Sequence, residues 1–124
     1  MKKLTTKWFK KWSEKVRLSN QELLNAVRNL EEGLSSADLG GHLFKVRVRR
    51  KHGGKSSGFR TILVYRKNDM AVFLYGSGKN EKGNIDRTEL RYFKKLGSDL
   101  LTLSPEQISH LTEQKVLFDP EEAE

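Results

Sequence analysis

The chain has 124 residues, with Lys+Arg 24 against Asp+Glu 16 for a net charge of +8, and is 35% hydrophobic and 32% charged. That is enough for one domain with a modest core, expected over residues 1–118, and the periodic apolar runs argue against disorder. The basic balance favours nucleic acid or an acidic protein as partner. The lack of cysteine excludes disulfides, thiolate metal sites and thiol nucleophiles and suits a cytoplasmic location.

Residues 4–9 read as a short opening strand on the strength of Thr5, Thr6, Trp8 and Phe9. Trp8, Phe9 and Trp12 among lysines would also suit a helix lying in a membrane surface, but the strand is the better fit. The opening segment has no continuous apolar region or cleavage site of a secretory signal, and no stretch approaches the length that spans a bilayer. Ser19 with Glu22 forms a capping box, Leu18 and Leu23 its staple. Leu23, Leu24, Val27, Leu30 and Leu34 follow at helical spacing, with Gly33 as the stop. Residues 43–50 alternate: Phe44, Val46 and Val48 point one way, Lys45, Arg47 and Arg49 the other.

The polar segment His52-Gly53-Gly54-Lys55-Ser56-Ser57-Gly58 reads as a long hairpin loop. Phe59 to Arg66 is a strand apolar on both faces and therefore central, Lys67-Asn68-Asp69 a turn, and Ala71 to Ser77 a third strand. Together they predict an antiparallel meander. Asp86 with Glu89 repeats the capping box, with Ile85 and Leu90 as staple, and Leu90, Phe93, Leu96 and Leu100 fall on one face. Ser104-Pro105 starts a last helix with Ile108 and Leu111 inward; Gln114 to Phe118 can return as a strand before an acidic tail, 119–124. The expected fold is α+β: an N-terminal strand, a helix, a three-stranded meander and then helices.

Most familiar chemistries find little support. HGGKSSG lacks the GxxxxGK[ST] spacing of a P-loop and no helix follows it. His42, His52 and His110 are scattered and make no metal-ligand spacing, so neither metal nor cofactor is expected. A histidine pair from His42 and His52 is conceivable for ribonuclease chemistry; solvated loop histidines are the plainer account. The basic run is stronger. Lys45, Arg47 and Arg49 on one strand face would stand about 6–7 Å apart, on the scale of successive phosphates along a nucleic-acid strand. The bland alternative is a solvated face blunted against aggregation, but such faces usually mix signs. Arg60 and Lys79 fall near the rim of the sheet, where they could be ion-paired or could stabilise charge on a phosphorane.

Gly54-Lys55-Ser56-Ser57-Gly58-Phe59-Arg60 and Tyr75-Gly76-Ser77-Gly78-Lys79-Asn80-Glu81-Lys82-Gly83-Asn84-Ile85, taken with KVRV at 45–48, resemble blocks of the RelE/HigB-like toxins of bacterial type II toxin–antitoxin systems, within the RelE/ParE superfamily. Ser57 stands where glycine is more usual, and Ser77-Gly78 replaces a phenylalanine-containing step. The resemblance implies a RelE-like sheet with helices on one side. It further implies an endoribonuclease that needs no metal and cuts messenger RNA, typically on the ribosome. Its partner would be a helix-turn-helix antitoxin, and the pair would bind operator DNA. On that reading Arg60 and Lys79 serve the scissile phosphate and Lys45 and Arg47 position the backbone, one lysine acting as general base. Arg49, Arg50, Lys51, Lys55 and Asn80 contact RNA, and Tyr75 is core or ring-stacking. The competing readings are a nucleic-acid or ribosome binder without catalysis and a ParE-like poison of DNA gyrase.

Overall fold

A computed structural model describes residues 1–34, 36–49, 58–78 and 85–121. The elements run β1 (Lys2–Thr6), α1 (Lys7–Lys15), α2 (Asn20–Glu31), β2 (Ser36–Gly40), β3 (Leu43–Val48), β4 (Phe59–Arg66), β5 (Met70–Gly78), α3 (Arg87–Leu101), α4 (Pro105–Glu113) and β6 (Leu117–Phe118). The strands form one sheet in the order β2-β3-β4-β5-β1-β6. The expected α+β class, the β3-β4-β5 meander, the central place of β4 and the returning terminal strand all stand in it. One pair is parallel: β1 crosses over to β5, with Lys2 against Met70 and Thr5 against Phe73.

Two expectations need correction at the N-terminal end. The strand ends at Thr6, and Trp8, Phe9 and Trp12 are helical. The Thr6 hydroxyl accepts the Phe9 N–H at 3.2 Å and caps α1. Phe9 and Trp12 turn into the core, and Val16 packs beside them; this i, i+3, i+7 set is a helical stripe. The strand reading followed the β preference of Trp, Phe and Thr residue by residue, and packing decided otherwise. Leu34, placed on the second helix, lies beyond it and is exposed. Gly33, in the left-handed region at φ +75, ends α2, and the Leu34 N–H reaches back to the Asn29 carbonyl at 2.7 Å.

Strand β2 was not expected at all. Its residues, SADLG, are mostly exposed; the backbone ladder to β3 holds them, and half-buried Leu39 adds an apolar contact. The return to β3 passes through Gly40, Gly41 and His42, all at positive φ.

The helices cover both faces of the sheet rather than one. On the first face α1 and α2 bury Phe9, Trp12, Leu23, Val27 and Leu30 against Val46, Val48, Leu63 and Phe73. On the second, α3 and α4 bury Phe93, Leu100 and Ile108 against Leu43, Ile62, Val64, Val72 and Leu74. Fully burying one such side chain is worth roughly 1.5–3 kcal/mol, so each core is a large share of the stability. Arg66 joins this scaffold: it is ion-paired with Asp69 in the following turn and donates to the Leu101 carbonyl at 3.1 Å.

A bulge in β5 shifts the pattern of the sheet. Leu63 pairs with Phe73 but Ile62 with Tyr75, so Leu74 is an extra residue. Leu74 and Tyr75 therefore both face α3, and from there on the odd-numbered residues of β5 share that face.

Candidate functional site

The cations of β3 follow the strand's alternation onto the α3 face, and the register places their neighbours. Lys45 stands opposite Ile62, and Ile62 opposite Tyr75; in the next row Arg47 stands opposite Arg60, and Arg60 opposite Ser77. Directly opposed positions hold their Cβ atoms about 4.5–5.5 Å apart. Along β3, Lys45 and Arg47 are about 6–7 Å apart, as two residues of strand require. Arg47 and Arg49 are exposed, and Lys45 and Arg60 half-buried.

The row of Arg47, Arg60 and Ser77 lies one step beyond that of Lys45, Ile62 and Tyr75, with Arg47 exposed, Arg60 half-buried and Ser77 buried. Toward that end of the sheet, Phe93 packs on Tyr75 with ring centroids 5.2 Å apart, and none of the three side chains in the next row belongs to either core. Two guanidinium groups thus issue from opposed positions on one face beside a helix. A phosphodiester matches such a pair in charge and in the planar, two-pronged hydrogen bonding arginine offers.

The basic run of the sequence is therefore divided by the fold. Lys45, Arg47 and Arg60 come together, Arg49 follows just past the strand, and Arg66 is spent at the opposite end of β4 on structure. Lys79, Asn80, Arg50, Lys51 and Lys55 lie outside the described residues. Their covalent neighbours Gly78 and Arg49 are at the arginine end of the sheet: Gly78 pairs with Phe59, next to Arg60. His52 is likewise outside the described residues. His42 sits in the β2–β3 turn, about 16 Å from Arg47 by strand rise, and His110 is exposed on α4. Tyr65 has its phenol pushed above the ordinary value of 10.0 by burial and by Glu31, but it belongs to the α1/α2 face against Phe44, away from the cations.

Sequence reasoning missed the aromatic wall beside this row. Trp8 stacks on Tyr75 at 5.0 Å and Tyr75 meets Phe93, which in turn meets Tyr92 edge-on at 5.3 Å. These rings line a groove of about 540 Å³ between the start of α1 and the first turns of α3. The signal was present as the spacing of Trp8 and Trp12: four residues apart they share one side of a helix, and their rings stack at 6.4 Å.

Among curated proteins, none matches the chain. A protein family does, described as the RelE toxin of the RelE / RelB toxin-antitoxin system, over residues 1–119. Such a toxin has an antitoxin as partner, and the α+β sheet with its cationic end fits the match. The chain belongs to the RelE toxin family.

Proposed function

We propose that this toxin is an endoribonuclease that cuts messenger RNA on the ribosome and so stops translation. The observation that carries the reading is the opposed pair Arg47 and Arg60 on one face of the sheet, with Lys45 one step along the strand. The chemistry it supports needs no protein nucleophile. The ribose 2′-oxygen attacks the adjacent phosphorus and the bond from phosphorus to the 5′-oxygen breaks, leaving a 2′,3′-cyclic phosphate and a 5′-hydroxyl. The 2′-hydroxyl proton passes to a base and the 5′-oxygen gains one. Negative charge grows on the phosphorane oxygens, where fixed cations act most strongly.

Arg60, with Lys79, holds the scissile phosphate. Arg47 and Lys45 position the flanking backbone, and one lysine is the candidate general base. Arg49, Arg50, Lys51, Lys55 and Asn80 extend the contact to RNA. A helix-turn-helix antitoxin neutralises the toxin, and the complex, rather than the toxin alone, binds operator DNA in the cytoplasm.

Mapping message ends in a purified translation reaction tests this. Addition of the toxin should yield new 5′ ends that ligate only after phosphorylation by a kinase, as 5′-hydroxyl ends do. A block in translation with intact message would mean binding without cleavage. DNA breaks with intact message would mean a gyrase poison.

A further inference from the structure

Ser77 is the third member of the row that holds Arg47 and Arg60. Its cross-strand partner is Arg60, whose partner on the other side is Arg47. Exposure falls along the row: Arg47 is exposed, Arg60 half-buried and Ser77 only 6% exposed. The row therefore runs from open surface to an enclosed end, and that end is a hydroxyl.

The bulge at Leu74 brings this hydroxyl to the cations. Phe73 faces α1 and α2, and strict alternation would return Ser77 to the same face. The extra residue moves Ser77 to the face of Arg60 and Gly76 to the face of Trp12.

A hydroxyl so enclosed ordinarily has a partner. Those of Thr61 and Ser13 do: they donate to the Val46 carbonyl at 2.8 Å and the Lys10 carbonyl at 2.9 Å. The Ser77 hydroxyl makes no hydrogen bond among the described residues, and no sealed side-chain oxygen or nitrogen there lacks a partner. It is therefore not sealed, and a group arriving from the surface reaches it. Thr5 is also buried without such a bond, but its cross-strand neighbours are Phe73 and Phe118, and no cation stands in its row.

Ser77 and Arg60 oppose each other with Cβ atoms about 4.5–5.5 Å apart, close enough for a hydroxyl and a guanidinium to meet one acceptor group. Beside a fixed cation an anionic oxygen is the favoured acceptor. We propose that Ser77 is a further binding residue of the cleavage site, its hydroxyl donating to one nonbridging oxygen of the phosphate held by Arg60. The proposal rests on the reading of the chain as an RNA-cutting toxin and gives that site a neutral donor beside its cations. Because the hydroxyl approaches from one side, it distinguishes the two nonbridging oxygens.

The test is single-turnover cleavage by the full chain on programmed ribosomes. Three messages are compared, with the scissile phosphate all-oxygen or carrying sulfur in place of one or the other nonbridging oxygen. Ser77→Ala should slow the all-oxygen message about 10- to 100-fold, the worth of one hydrogen bond to a charged group. It should slow one sulfur diastereomer far less, since sulfur accepts poorly and the parent has already lost the bond there. The rate ratio of the two diastereomers should change accordingly. Ser77→Cys should behave like alanine: a thiol is a weak donor of similar volume, so it reads the hydroxyl even if alanine leaves a void. The assignment is overturned if folded variants cleave all three messages like the parent. It is overturned also if they slow all three equally, as a loosened sheet would. A parent protein that leaves the message intact would instead overturn the ribonuclease reading, and the role of Ser77 with it.

Discussion

Replacing Arg60 with alanine should lower message cleavage about a hundred- to a thousand-fold, the usual cost of removing one fixed group from a developing oxyanion. The loss should appear in the rate of the bound complex more than in affinity, because the charge it meets grows as the phosphorane forms. Arg60→Lys should recover only part, since a lysine keeps the charge and loses the planar fork. Arg47→Ala should act in the other sense, weakening binding more than turnover, as a backbone-positioning cation does. The fold should survive both changes. Arg47 is exposed and Arg60 half-buried, and neither belongs to a core. Single-turnover cleavage on programmed ribosomes, read beside circular dichroism of the same samples, checks this. A fully active, folded Arg60→Ala protein would remove Arg60 from the site.

The largest expected effect on stability comes from a methyl group. At Gly76 a Cβ would stand 2.2 Å from Cζ3 of Trp12, 2.5 Å from Cη2 and 2.6 Å from Cε3. The indole cannot step aside, because Phe9 lies at 5.4 Å on one flank and Phe59 at 5.4 Å edge-on on another. Gly76→Ala should therefore cost about 3 kcal/mol, at the upper end of what overpacking a core does. Replacing Trp12 with leucine in the same chain should return part of it, since the space the methyl needs is then free. Urea denaturation of the single and double variants measures both. A Gly76→Ala protein as stable as the parent would mean that α1 does not press on β5 as described.

How much of this the sequence disclosed follows from the range of the forces involved. The capping boxes at Ser19 and Asp86 close within three residues, so the starts of α2 and α3 were legible. Alternation in β3 and the apolar density of β4 were equally local. The end of the first strand was not, because Trp8 and Phe9 suit a strand until Thr6 caps a helix and the core receives Phe9 and Trp12. Strand β2 left no trace, since its ladder to β3 uses backbone groups that every residue carries. In the site, charge, strand alternation and the resemblance marked out Lys45, Arg47 and Arg60. They could not show that Arg47 and Arg60 oppose each other, nor that Arg66 in the same run ties the β4–β5 turn to α3. The bulge at Leu74 was hidden for the same reason. Only the paired register shows that Tyr75 and Ser77 share a face with Arg60.

The parallel pairing of β1 with β5 also has a kinetic meaning. The hairpin of β3 and β4, with its arginines, closes from neighbouring segments, whereas β1 and α1 must wait for β5 to be made before they have a place. A newborn chain therefore acquires its cations' arrangement early and the Trp8 wall late, so the complete surface forms only near the end of folding. In refolding a Trp12→Phe protein, Trp8 fluorescence should mature in the slowest phase, after amide protection of β3 and β4. Trp8 maturing first would reverse that order.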